Sequence, residues 1–354
     1  MLNSTTVGRK AINRVGGERA ELSDWTVASM FSGAGGMDLG FKQAGFKIVW
    51  ATDTSVNACK TYERNIGVKP RVSRIERVED NEFPQAHGLI ACTPCEGFSL
   101  IGERNQHDPR NYLYRHVVRC LKQTKPMFFV AENVRGLALL YNKKFLRLML
   151  QAYDRAGYDV VWNLLDAKDY GVPQHRERVV IVGFRKDLHI RYSFPAKTHG
   201  PGLTKYATLR GAIGRMRPAK PDEYYNGYSK EDWPFFYMSR NRRADWGDYS
   251  FTIQAWQRHV ALHPSSPPMK KLRKDHWAFT APKSRYRRLS YKECAKIQTF
   301  PQGYEFVGSL ESKYWQVGNA VPPLLAKVLA ESLLAHLPAE PSPPAEASPP
   351  VITI

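Results

Sequence analysis

From residue 26 to residue 184 the chain alternates between two hydrophobic patterns. Short, nearly continuous apolar runs predict strands over 26–31, 46–52, 87–92, 127–131, 158–165 and 178–184. Between them, helical spacing predicts helices near 36–45, 55–65, 110–124 and 142–156. Strands that are apolar at almost every position need cover on both faces, and intervening helices supply it. The expected fold is therefore α/β, a doubly wound parallel sheet. After residue 185 the alternation stops, and Gly, Pro and aromatic residues are scattered through 186–286. Regular patterning returns at 290–299 and again at 322–337, where Pro322 and Pro323 open a helix with Leu325, Val328, Leu329 and Leu333 on one face.

The expected layout is one α/β domain, 25–185 and 287–337, interrupted by a smaller inserted domain at 186–286. The ends read differently. Residues 1–24 are polar without periodicity, a flexible arm. Residues 338–354 hold six prolines in 17 positions and read as a disordered tail, because proline removes backbone donors and blocks helix continuation. There is no internal repeat.

Composition narrows the partners. The chain has 52 Lys and Arg against 33 Asp and Glu, a formal charge of +19, which gives it a standing attraction for polyanions. A 43% hydrophobic content excludes wholesale disorder. No run of 18 apolar residues predicts a spanning helix, and the basic N-terminus lacks the apolar stretch of a secretory signal. Five cysteines, an odd and low count, argue against a disulfide scaffold and for a reducing compartment. Much of the charge is local: 186–286 carries 19 Lys and Arg against 8 Asp and Glu, with 17 of the 42 aromatic residues. Such a segment either grips phosphates and bases or has a small aromatic core of its own beneath a solvated basic face.

Candidate chemistry gathers at the carboxyl ends of the predicted strands. Phe31-Ser-Gly33-Ala-Gly35-Gly36 ends the first, and its glycines let the backbone turn tightly and approach a nucleotide-like ligand. Asp53 closes the second strand, where a carboxylate can accept from both hydroxyls of a ribose. Cys92-Thr93-Pro94-Cys95 follows another strand; its cysteines read as a nucleophile, a redox pair or structural thiols. Cys59, Cys120 and Cys294 give no second pair, so no metal is expected. Glu132 ends the next strand, where it can protonate, or hold a proton on, a bound heterocycle. Arg176 and Arg178, two apart on an extended segment, are expected to point the same way and to clamp a phosphate or position Glu132.

These residues carry a family resemblance running from about 26 to 335. The chain resembles a DNA (cytosine-5)-methyltransferase: Phe31-x-Gly33-x-Gly35 is similar to the cofactor loop, Pro94-Cys95 with Phe98-Ser99 to the nucleophile loop, and Glu132-Asn133-Val134 to the catalytic triplet. Gln174-x-Arg176-x-Arg178, the stretch Arg288 to Pro301, and Gln316-x-Gly318-Asn319-Ala320-Val321 complete the ordered set. The resemblance implies a Rossmann-like S-adenosylmethionine-dependent methyltransferase sheet with 186–286 as target-recognition domain. It implies that Cys95 attacks carbon 6 of a flipped-out cytosine while Glu132 engages ring nitrogen 3, aided by the arginine motif. It assigns Phe31, Gly33, Gly35, Gly36, Asp53, Pro94, Leu113, Asn319 and Val321 to the cofactor S-adenosyl-L-methionine. Ser99, Thr252 and Ile253 fall to DNA contact. The implied partner is double-stranded DNA, with the enzyme a cytoplasmic monomer, nucleoid-associated if prokaryotic, and any cognate restriction endonuclease not required for activity.

There are departures. Thr93 and Glu96 replace the family's usual Pro and Gln around Pro94-Cys95, Ala320 replaces a Ser, and Val72-Ser-Arg74-Ile75 lacks the aspartate usually found near the adenine. None removes a catalytic group. Competing readings are an RNA cytosine-5 methyltransferase, a non-catalytic DNA-binding relative, and an unrelated Rossmann oxidoreductase with a Cys92–Cys95 disulfide.

Overall fold

A computed structural model describes residues 24–94, 108–139, 142–225, 233 and 235–341. The nucleophile-loop residues Cys95, Glu96, Phe98 and Ser99 lie outside this set, as do the expected N-terminal arm (apart from Asp24) and most of the proline-rich tail.

One seven-stranded sheet dominates, in the order β3-β2-β1-β4-β5-β7-β6. Its strands are β1 (Thr26–Met30), β2 (Lys47–Asp53), β3 (Arg71–Val72), β4 (Gly88–Ala91), β5 (Phe128–Val134), β6 (Tyr158–Asp166) and β7 (Glu177–Arg185). The first five are parallel. The last two correct the expectation of a parallel sheet throughout, because β7 runs antiparallel to both β5 and β6. A continuous apolar run such as Arg178-Val-Val-Ile-Val looks the same in either direction, so patterning alone leaves orientation open. β6 is also an edge strand with Val161 and Trp162 exposed, not a buried one.

Helices α1 (Gly36–Gln43), α2 (Val56–Ile66), α3 (Tyr114–Thr124) and α4 (Lys143–Arg155) connect the strands. Alternate strand positions face opposite covers. Phe128 and Val130 of β5 join Val180 and Val182 of β7 in one apolar cluster, whereas Phe129, Ala131, Val179 and Ile181 join the other.

Among its described residues, the inserted region forms α5 (Leu209–Ile213), α6 (Phe235–Met238) and the hairpin β8 (Met269–Arg273) with β9 (His276–Phe279). Trp233, Tyr237, Leu262, Met269 and Tyr286 form a separate small core there. Its opening stretch instead packs on the main cluster through Ile190, Tyr192, Leu209 and Ile213. The chain then returns through α7 (Tyr291–Ile297), α8 (Leu310–Asn319) and α9 (Pro323–Leu334). α9 lies against α1 so closely that a Cβ on Gly40 would meet Ala326 Cβ and Pro323 O at 2.5 Å. Leu310–Leu334 reaches the mean hydropathy of a membrane span, yet it is two separate helices and over half of it is buried.

Candidate active site

The glycine loop is shaped by backbone conformation. Phe31, Gly33 and Gly35 all have positive φ, at 57°, 53° and 82°, which turns the chain from β1 directly into α1. Gly36 is required for another reason: a Cβ there would meet Val321 O at 2.4 Å. The loop thus touches the returning chain at the end of α8. Beneath it, Tyr62 donates to Asp38 Oδ1 at 2.8 Å, and burial raises the Asp38 carboxyl to about 6.

The loop opens on a cavity of about 540 Å³, within the usual range for small-molecule sites. Phe31, Gly33, Gly36, Asp53, Pro94, Leu113, Asn319 and Val321 all line it. Gly35 does not; its Cα faces Tyr62, Ile66 and Tyr304, and its contribution is the turn. Asp53 Oδ2 accepts from Gly33 N at 2.9 Å and Oδ1 from Ser55 N at 2.8 Å. Burial raises its carboxyl, and those N–H donors oppose the shift. A half-buried carboxylate with lone pairs to spare, apolar Phe31, Ile75 and Leu113, and a Gly33 with nothing within 4 Å of its missing Cβ suit the diol and ring of an adenosine. S-adenosylmethionine fits this donor set.

Glu132 and Arg178 line the same cavity from adjacent antiparallel strands, where Glu132 pairs with Val180 and Val134 with Arg178. Arg178 Nε lies 2.8 Å from Glu132 Oε1. Burial raises the Glu132 carboxyl above its ordinary range; the Arg178 and Arg176 cations pull in the other direction. Next to Glu132, Asn133 Nδ2 donates to the Thr93 carbonyl and hydroxyl at 3.2 and 3.1 Å. This ties the start of the nucleophile loop to β5. Cys92 also lines the cavity, but desolvation pushes its thiol well above the ordinary range.

Arg176 departs from the expected shared direction. It is fully buried and donates to the carbonyl oxygens of Ile253, Gly318 and Ala320 at 3.0, 2.7 and 2.8 Å. It does not line the cavity. Thr252 and Ile253 answer to the same anchor: Thr252 Oγ1 donates to His175 O at 2.7 Å, Ile253 N donates to Gln174 Oε1 at 2.9 Å, and Ile253 is 3% exposed. This pair bolts the insertion onto the segment that leads into β7. Sequence reasoning passed over Trp315, Gln316 and Met37 in the cavity wall, and Gln298, which accepts from Gln174 Nε2 at 3.2 Å. Gln298 and Gln316 were visible as motif letters; Trp315 needed α8 to be read as a helix.

Known proteins resemble this chain in sequence and in fold. The family model for C-5 cytosine-specific DNA methylase matches residues 25–335. The Type II methyltransferase M.MthTI of Methanothermobacter thermautotrophicus is 41% identical over 327 residues, covering 88% of this chain and 97% of that protein. M.BspRI of Lysinibacillus sphaericus is 40% identical over 349 residues, covering 87% and 81% respectively. Among solved structures, a putative DNA modification methyltransferase from an E. coli prophage aligns with a TM-score of 0.67 at 21% identity, covering 88% of this chain and 99% of that one. The Entamoeba histolytica methyltransferase EhMeth gives 0.69 at 15%, covering 88% and 98%. At those identities the structures speak to fold alone. The matched family and the curated relatives carry the conclusion that the chain belongs to the C-5 cytosine-specific DNA methylase family and is an S-adenosylmethionine-dependent enzyme.

Proposed function

We propose that the enzyme methylates a cytosine extruded from a specific sequence in duplex DNA, through a transient covalent bond to Cys95. The observation that carries this reading is the buried Glu132–Arg178 pair beside Thr93-Pro94, the chain segment that leads into Cys95. The Cys95 thiolate adds to carbon 6 of the ring. Glu132, with its raised carboxyl, gives its proton to ring nitrogen 3, so the electrons displaced toward carbon 5 are not opposed by a growing negative charge. Arg178 orients that carboxyl and takes up the charge it acquires. Cys92 cannot substitute as nucleophile, because its thiol stays protonated.

Bound along Phe31, Gly33, Asp53, Leu113 and Val321, S-adenosylmethionine supplies an electrophilic methyl group. Carbon 5 would take that methyl group and then give up its own proton to water as the carbon 6–sulfur bond breaks; Cys95 leaves as thiolate, and nitrogen 3 returns its proton to Glu132. Carbon 6 is shielded inside a stacked duplex, so the base has to leave the helix first. The basic 186–286 region suits the phosphate backbone, and a cytoplasmic monomer acting without an obligatory endonuclease partner is the setting we infer.

Bisulfite sequencing of DNA from cells expressing the enzyme, beside cells expressing Cys95→Ala, tests the reading. One sequence context protected from conversion only by the unaltered enzyme is expected. Protection that persists in Cys95→Ala, or none with either protein, contradicts it.

A further inference from the structure

The inserted region leaves large rings exposed close to the cavity. Gly318 lines the cavity, and the backbone of 254–255 presses on it so tightly that a Cβ at Gly318 would meet Ala255 Cα at 2.4 Å. The next residue, Trp256, is 53% exposed. Its ring meets His259 edge-on at 5.0 Å, and His259 meets Phe236, 38% exposed, at 5.2 Å.

The row is held from beneath. His259 N donates to Trp256 O at 2.9 Å, closing a tight turn, and Arg242 donates to the carbonyl oxygens of Tyr237 and Phe236 at 2.7 and 2.9 Å. Burial and neighbouring arginines lower His259 to about 4, so at neutral pH its ring is uncharged. Arg240 sits 5.4 Å from the Phe236 ring, and Arg258 belongs to the same turn as His259; both arginines are exposed. Preorganised rings beside exposed arginines, next along the chain from the backbone that packs on the cavity-lining Gly318, match how proteins hold unpaired bases: the π-face takes the base and the guanidinium takes its phosphate.

We propose that Trp256, His259 and Phe236 form a stacking ledge for an unpaired nucleobase of the DNA delivered to this cavity, with Arg240 and Arg258 serving its phosphates. The inference rests on the DNA reading above and adds to it a residue-level site for a base outside the duplex stack.

The test is fluorescence anisotropy of the full chain with two labelled duplexes, one carrying a single unpaired thymine and the other the same bulge without a base. The unaltered protein is expected to prefer the base-bearing duplex about tenfold, in keeping with one base stacked on a ring. Trp256→Ala brings the two affinities level, and Trp256→Phe restores several-fold preference. Arg258→Ala weakens both duplexes alike and lowers the salt slope by about one. A tenfold preference that survives in Trp256→Ala overturns the ledge, as does equal binding of both duplexes by the unaltered protein. Failure to bind either duplex overturns the DNA reading, and the ledge with it.

Discussion

Arg178 Nε lies 2.8 Å from Glu132 Oε1 at the wall of the cofactor cavity, each side chain about nine-tenths withdrawn from water. Burial favours the neutral acid and the cation favours the carboxylate, and burial dominates. That balance suits Glu132 to the proton-donating role proposed for it, with Arg178 setting its strength.

Glu132→Gln should lower kcat by about 10²–10⁴-fold, the usual range for a lost general acid. In the unaltered enzyme kcat/KM should fall as pH rises through the Glu132 pKa, because the ionised form has no proton to give. Arg178→Gln removes the cation that lowers this pKa, so the alkaline limb should move to higher pH. A pH–rate profile checks the direction; a limb that moves down contradicts the assignment.

Arg176 should behave as a structural bolt. Arg176→Met leaves the carbonyls of Ile253, Gly318 and Ala320 without their donor, at about 1–3 kcal/mol for each buried group that stays unpaired. Urea unfolding should show a loss of several kcal/mol, with cofactor affinity falling too, since Gly318 and Ala320 line the cavity. Arg176→Lys should recover part of both, a point charge replacing a planar fork.

Asp53→Ala should weaken S-adenosylmethionine binding at least tenfold by calorimetry. It removes the acceptor expected for the ribose and also frees the Gly33 and Ser55 N–H groups that hold the loop. Asp53→Asn keeps one acceptor oxygen and should fall between the two.

Asp38 offers a pH test of stability. Its carboxyl rises from 3.8 unfolded to about 6 folded, so the folded state holds its proton more tightly than the unfolded one. A raised carboxyl pKa favours folding at low pH, and the penalty grows as pH climbs from 4 to 6, reaching about 3 kcal/mol above that window. Asp38→Asn, which still accepts from Tyr62, should be more stable than the unaltered protein at pH 7, and the difference should shrink as pH falls toward 4. Thermal unfolding across that range measures it.

Much of this was written in residue pattern. The apolar runs located six of the seven strands of the sheet, and the alternation of Gly33, Asp53 and Glu132 at their carboxyl ends placed the cavity. The antiparallel turn of β7 was not readable, since its apolar run carries no direction. The divergence of Arg176 from Arg178 was hidden for a related reason. Arg176 precedes Glu177, where β7 begins, so the alternation of a strand does not govern where its side chain goes. Trp256 and Trp315 gave no signal at all, because the exposure of one and the cavity position of the other depend on which distant segments meet.

The central claim is that Cys95 and Glu132 methylate carbon 5 of cytosine in duplex DNA. The most direct test incubates the enzyme with duplex DNA and S-adenosylmethionine labelled on its methyl group, then digests the DNA and separates the nucleosides. Label is expected in 5-methyldeoxycytidine alone with the unaltered enzyme and nowhere with Cys95→Ala. Label on an exocyclic nitrogen, or label that survives in Cys95→Ala, would contradict it.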